Sequence, residues 1–191
     1  MKRSDFEIMA PVGSYDSLTA AIQGGADSVY FGIEGLNMRA RSSNNFTIDD
    51  LHEIVRICNE HHIKSYLTVN TVIYDEDIPL LHRIIDAAKE AGLSAIIASD
   101  VAAMTYAREI GVEVHFSTQL GGEPVRIEMF CHGALCMAVS GKCYLSLHEM
   151  NASANRGACM QICRRSYEVK DKETGNELEV DNAYIMSPKD L

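Results

Sequence analysis

Five of the six cysteines, Cys131, Cys136, Cys143, Cys159 and Cys163, crowd into one stretch of the chain, while Cys58 stands alone. Cys136, Cys143, Cys159 and Cys163 are separated by six, fifteen and three residues. Four thiolates drawn together repel one another unless a cation neutralises them. A tetrahedral zinc ion and a four-iron, four-sulfur (4Fe-4S) cluster both accept four cysteine ligands. The paired C-x2-C knuckles of zinc ribbons are absent, whereas Ser140, Gly141, Gly157 and Ala158 give the loops the freedom that irregularly spaced cluster ligands use. Spacing alone does not choose between a 4Fe-4S cluster and zinc on Cys136, Cys143, Cys159 and Cys163, and reduced buried thiols are the plain reading beside both. Cys58 falls on an apolar helical stripe and Cys131 on the apolar side of a strand pattern, so both are expected in a core.

A second group of side chains is polar and titratable. Along 113–119, Glu113, His115, Ser117 and Gln119 share one strand face, and along 125–133 Arg126, Glu128, Phe130 and His132 do the same. In a barrel the outer face packs on helices, which leaves the polar set pointing inward, where barrel enzymes gather their sites at the strand C-terminal ends. Glu7, Tyr30, Tyr66, Thr68 and Asn70 join that inward set from earlier strands. His115, Gln119, Glu128 and His132 are the expected catalytic residues, against the alternative that such groups only satisfy one another across a polar floor. Cys131 and His132 are adjacent on a strand and so point to opposite faces, which removes them as a nucleophile and base pair.

The elements that must position these groups follow a regular rhythm. Short β-rich runs at 6–10, 27–31, 65–70, 95–99 and 113–119 alternate with amphipathic helical patterns. Examples are Leu51, Ile54, Val55 and Cys58, and then Leu81, Ile84, Ile85 and Ala88. Ser14 is placed to cap the first helix, and Thr47 with Asp50 resembles a capping box. Single helices between strands indicate a parallel α/β sheet. No Gly-rich phosphate loop or Walker lysine follows the first strand. After Gln119 the rhythm breaks: only Leu120-Gly121-Gly122-Glu123-Pro124 precedes the next strand pattern, too short for a crossover between parallel neighbours. Near the C-terminus, 166–169 and 178–180 flank a turn at Lys172–Asn176, which predicts a hairpin, and Ala183–Ser187 reads as the start of a further strand.

The 191 residues are 47% hydrophobic and 23% charged, enough for a packed core, and the formal charge of −10 argues against a surface given over to nonspecific phosphate binding. A complete eight-stranded β/α barrel typically takes about 250 residues. No apolar run approaches the roughly 20 residues that cross a bilayer, and no signal-peptide core follows Met1. The expectation is a cytoplasmic protein without membrane insertion. The expected fold is an α/β incomplete TIM-type barrel over 1–165 that includes the cysteine-rich loop, followed at 166–191 by a small hairpin appendage and the start of another strand.

The run Glu128 to Cys136, followed by Gly141-Lys142-Cys143-Tyr144-Leu145-Ser146, closely resembles the signature of the U32 peptidase family, the collagenase-like proteases. Asn155 to Arg164, Ala10-Pro11-Val12-Gly13, Gly25 to Gly32, Arg39-Ala40-Arg41 with Asn45-Phe46, and His115 to Gln119 extend the resemblance over nearly the whole chain. It implies a β/α-barrel catalytic domain. It also implies either peptide hydrolysis or an oxygen-independent hydroxylation of tRNA, ribosomal RNA or ubiquinone that depends on a 4Fe-4S cluster. The family's cluster cysteines fall on Cys136, Cys143 and Cys159, with Cys163 fourth by position. Two departures stand out. The family pattern carries a further βα segment where only Leu120–Pro124 remains here, and it continues past Ser187-Pro188-Lys189-Asp190-Leu191. The leading expectation is an iron-sulfur hydroxylation enzyme acting on tRNA, rRNA or a small aromatic substrate, with a collagenase-like peptidase as the alternative. A noncatalytic, zinc-stabilised binding module is the third reading. Arg156, Arg164, Arg165 and Lys142 form a local basic stretch for an anionic substrate, and a protein partner is expected to complete the barrel.

Overall fold

The computed structural model describes residues 2–33, 35–38, 46–117, 131, 136, 138 and 143–180. The chain divides into two compact units, Met1–Leu120 and Gly121–Leu191.

The first unit is a parallel sheet of β1 (Met9–Pro11), β2 (Ser28–Phe31), β3 (Lys64–Val69), β4 (Ala95–Ala98) and β5 (Val114–Phe116), in the spatial order 1-2-3-4-5. Helices α1 (Tyr15–Gln23), α2 (Leu51–Glu60), α3 (Ile78–Ala91) and α4 (Val101–Ile110) supply the crossovers. A strand order that never reverses is the order of a β/α barrel and not of a doubly wound sheet, which turns back at a switch point. Among the described residues the sheet has five strands, in keeping with the incomplete barrel that the sequence pattern implies.

Local chemistry fixes the helix starts. The Ser14 hydroxyl accepts from the Ser17 amide at 3.2 Å while Ser17 Oγ accepts from the Ser14 amide at 2.9 Å. Asp50 Oδ2 accepts from both the amide and the hydroxyl of Thr47, at 2.8 and 2.7 Å, closing the box read in the sequence. The helical stripes then pack on one face of the sheet: Leu51, Ile54, Cys58, Leu81, Ile84, Ile85 and Ala88 are buried against Val29, Phe31, Leu67, Val69, Ile96 and Ala98. Cys58 is thus a core residue, and burial pushes its thiol up to about 11. Gly32 is required by close approach, because a Cβ there would lie 2.5 Å from Asn37 Cγ.

The opposite face carries a smaller cluster of Tyr66, Ala95 and Ile97 with Met9 and Tyr30 beside it. Its polar members sort by height. Glu7, ahead of β1, accepts from Lys64 Nζ at 2.7 Å and from Tyr66 Oη at 2.8 Å, so it ties β1 to β3 at the strand N-terminal end. That is the barrel floor, where polar groups read as structural. At the other end, Asn70 Oδ1 accepts from the Met38 amide at 3.1 Å, and Asp100 accepts from the amides of Ile73 and Ala102 at 3.0 and 2.9 Å, stitching successive loops together.

The second unit holds α5 (Leu145–Met150), two 3-10 turns at Ala154–Arg156 and Ile162–Arg164, and an antiparallel hairpin of β6 (Tyr167–Lys170) and β7 (Glu177–Val180). Asp171 nucleates the hairpin turn by accepting from the Glu173 and Thr174 amides at 2.8 and 2.9 Å. The strand patterns at 125–132 and 183–187 lie outside the described residues.

Burial by itself would raise the Glu7 carboxyl, but hydrogen bonds from Lys64 and Tyr66 outweigh it and hold the group below its ordinary value of 4.5. A depressed folded-state pKa contributes stability that is full above the unfolded value and is lost as pH falls through the folded one. Glu7→Gln is therefore expected to lower the melting temperature at pH 7 and to lower it less at pH 3, read by circular dichroism. In thiol titration of the native protein at pH 8, Cys58 is expected to react last and only on unfolding.

Candidate functional site

The segments that carry three of the four spaced cysteines, Cys143, Cys159 and Cys163, are tied together in the second unit by local structure. Cys143 lies two residues ahead of α5, and Cys159 follows the 3-10 turn Ala154–Arg156. That turn is closed by Gly157 at a φ of 78°, with Gly157 N donating to Ala154 O at 3.1 Å and Ala158 N to Ser153 O at 3.0 Å. Ser146, on the first turn of α5 and 2% exposed, accepts from the Met160 amide at 3.0 Å through its hydroxyl. One buried hydroxyl thus clamps the segment after Cys143 to the residue after Cys159. Gln161 then takes a left-handed conformation, with a φ of 51°, and starts the turn that carries Cys163. The turn is anchored by buried Ile162, whose carbonyl accepts from the Tyr167 hydroxyl at the start of β6.

Cys163 feels the charges of the other three cysteines. Burial raises the Cys163 thiol, the Arg164 guanidinium draws it down, and the charges of Cys159, Cys136 and Cys143 each push it further up. Cys136 and Cys159 are exposed, and Cys143 and Cys163 are half-buried. Among the described residues, no three His, Cys, Asp or Glu side chains stand close enough to grip one metal ion. Four cysteines are the donor set of a four-iron, four-sulfur cluster and of a tetrahedral zinc ion alike, and Cys136, Cys143, Cys159 and Cys163 would be the residues to hold either.

The remaining site residues are placed differently. His115 lies on β5 of the first unit with its ring 4.9 Å from that of Tyr66 and its Nε2 3.3 Å from Glu113 Oε1. Its side chain is 27% exposed on the inner face of the sheet, the side that the alternation of β5 assigns to it. Gln119, Glu128 and His132 lie outside the described residues. Cys131 is exposed, which corrects its assignment to a core: the alternation argument sorted it to an apolar face, but an apolar face buries a thiol only where another layer covers it. Ser146 is a positioning residue that the sequence pattern does not single out. Its signal is a lone hydroxyl in Leu145-Ser146-Leu147, three residues after a ligand cysteine.

The sequence pattern of peptidase family U32 matches residues 13–123 and 122–191, all but the first twelve residues. The chain belongs to this family. A relative named "Collagenase" from Porphyromonas gingivalis (strain ATCC BAA-308 / W83) is 62% identical over 235 residues, covering 100% of this chain and 57% of the relative. The "tRNA hydroxylation protein P1" of Bacillus subtilis (strain 168) is 31% identical, covering 97% of this chain and 53% of that protein. The "23S rRNA 5-hydroxycytidine C2501 synthase" of Escherichia coli (strain K12) is 30% identical, covering 87% of this chain and 30% of that protein. The chain therefore spans about half the length, or less, of the curated relatives it matches. The 235 aligned residues exceed the 191 of this chain by 44, so the Porphyromonas protein carries residues with no counterpart here. The two matched stretches of this U32 chain meet at residues 122 and 123, within the Leu120–Pro124 junction.

Removing the Ser146 hydroxyl leaves the Met160 amide without its acceptor, a loss of about 1–3 kcal/mol for a buried donor. Ser146→Ala is expected to lower the stability measured by denaturant unfolding by that amount and to speed alkylation of Cys159, read by mass spectrometry, whereas Ser146→Thr keeps the acceptor and stays closer to wild type.

Proposed function

We propose that this U32 chain holds a 4Fe-4S cluster on Cys136, Cys143, Cys159 and Cys163 and serves an oxygen-independent hydroxylation of RNA, with tRNA or rRNA as substrate. The observation that carries the reading is the local fold that ties the segments of Cys143, Cys159 and Cys163 together through the Met160 amide and the Ser146 hydroxyl, with the charge of Cys136 also felt at Cys163. Relatives named for tRNA hydroxylation and for 5-hydroxycytidine synthesis in 23S rRNA support the substrate class. When bound, such a cluster supplies one-electron transfer. The chain's own residues do the rest. The four thiolates fix the cluster, and Arg164 offsets part of their negative charge. Arg156 and Arg165 lie in the same short segment and add positive charge for a phosphate backbone, locally reversing the overall −10. His115, against the Tyr66 ring, orients substrate or moves a proton, together with Gln119, Glu128 and His132. A small aromatic substrate fits the same roles without the arginines. The protein works in the cytoplasm, where such RNAs are found; among the described residues no helix is long and apolar enough to cross a membrane.

A collagenase-like peptidase is the second reading, favoured by the name of the relative at 62% identity. Cys58 is buried in the core of the first unit, out of reach of a peptide substrate. A zinc-stabilised binding module without catalysis is the third reading, set by the same four sulfurs.

Anaerobic purification is expected to yield a brown protein with about four irons and four sulfides per chain. Replacing any of Cys136, Cys143, Cys159 or Cys163 by Ser should abolish the visible absorbance, while Cys131→Ser should leave it intact. Nucleoside mass spectrometry should show one added oxygen in tRNA or rRNA from cells that express the protein, and none with the cysteine variants. Stoichiometric zinc without iron would refute the cluster. Gelatin cleavage that survives replacement of all four cysteines would establish the peptidase instead.

A further inference from the structure

The inner face of the first unit carries three aromatic side chains on β2, β3 and β5. The pairings Tyr30↔Tyr66 and Tyr66↔Ala95 set Tyr30 and Tyr66 side by side on neighbouring strands, and His115 lies two strands beyond Tyr66, paired with Ile97. Adjacent strands are about 4.8 Å apart, so β3 and β5 stand roughly 10 Å from each other. The rings of Tyr66 and His115 nevertheless have centroids only 4.9 Å apart. They meet across β4, which presents the small side chain of Ala95 opposite Tyr66.

The two tyrosines use their hydroxyls differently. Tyr66 is 3% exposed, and its hydroxyl donates to Glu7 Oε1 at 2.8 Å. Tyr30 is half-buried and packs against the cluster of Tyr66, Ala95 and Ile97. Val29 and Phe31, both fully buried among the helices, take the other face and so fix Tyr30 on this one. Among the described residues the Tyr30 hydroxyl has no hydrogen-bond partner, and it is not sealed from solvent. A tyrosine with a packed ring normally finds a partner for its hydroxyl. Here the ring is anchored in the sheet while the donor stays open, on the face that also carries His115.

We infer that Tyr30 is a substrate-binding residue whose hydroxyl hydrogen-bonds the polar edge of a base held on the inner face. A neutral hydroxyl beside Ala95 and Ile97 suits an uncharged heterocycle better than a phosphate, which calls for cations. Every base carries a carbonyl or ring-nitrogen acceptor for such a donor. The class of ligand rests on the RNA reading proposed above, whereas the placement of Tyr30 owes nothing to the cysteines.

The probes are the four ribonucleosides, each titrated into the full chain with 13C-labelled tyrosine and followed by NMR. Among the eight tyrosines, the Tyr30 signal is identified by its loss in Tyr30→Phe. At least one nucleoside is expected to shift that signal saturably. Tyr30→Phe keeps the packed ring and the circular dichroism spectrum, and should weaken binding, read on the nucleoside protons, by about threefold to tenfold, the worth of one hydrogen bond. No shift of the Tyr30 signal with any nucleoside, or equal binding by Tyr30→Phe, would overturn the inference. The added oxygen in cellular RNA separates this site from the reaction. Tyr30-dependent nucleoside binding by a chain that adds no oxygen would support the site and refute the hydroxylation, whereas oxygen addition undiminished in Tyr30→Phe would refute the site and leave the hydroxylation standing.

Discussion

A parallel sheet has to be covered on both faces and continued or shielded at its edges, and most of the first unit follows from that demand. Helices meet it on one face, where the strands contribute Val29, Phe31, Leu67, Val69, Ile96 and Ala98. The other face is met differently, by a few side chains gathered around Tyr66, whose hydroxyl finds its partner in Glu7 within the same layer. This division gives the sheet an apolar outside and a mixed inside, and only the inside can host chemistry. His115 belongs to it because β5 repeats the alternation of its neighbours, with Val114 and Phe116 turned outward.

The second unit obeys another constraint. Among its described residues the buried ones are Ala152, Ala154, Ala158, Ile162 and Ser146, small side chains apart from Ile162. What holds the cysteine segment instead is a chain of specific hydrogen bonds: Ser146 to Met160, Ser153 to Ala158, and Tyr167 to Ile162. A scaffold of this kind sets where sulfurs go without gripping them tightly.

Much of this architecture is legible in the sequence because the helices carry their pattern in full. Leu81, Ile84, Ile85 and Ala88 identify the buried stripe of α3 directly, and Ser14 and the Thr47/Asp50 box mark where helical structure starts. The first strand is less legible. Residues 6–10 carry the alternation, yet the ladder runs from Met9 to Pro11, because Asp27 Oδ2 takes the Ile8 amide at 2.7 Å in place of a strand partner. Pro11, without an amide proton, is tolerated there because β1 is an edge strand. Glu7 reads as a site residue and proves to be floor, since alternation gives the face of a side chain but not its height along the strand. The cysteine set is legible as residues, but Ser146 is not, because a hydroxyl at a helix start normally signals a cap.

The names of the relatives divide between proteolysis and hydroxylation, and the physical demands of the two on a cysteine are opposed. A nucleophilic thiol works best alone beside a base or a helix N-terminus, where its anion is favoured. A ligand thiol sits among others like it, where its anion is disfavoured until a cation arrives. Burial raises the Cys163 thiol, Arg164 lowers it, and the charges of Cys159, Cys136 and Cys143 raise it further. Cys58, buried under α2 and raised by burial alone, is of neither kind. A cysteine nucleophile and a four-cysteine ligand set thus ask for opposite surroundings, and the charges of Cys159, Cys136 and Cys143 felt at Cys163 are of the kind that ligation asks for.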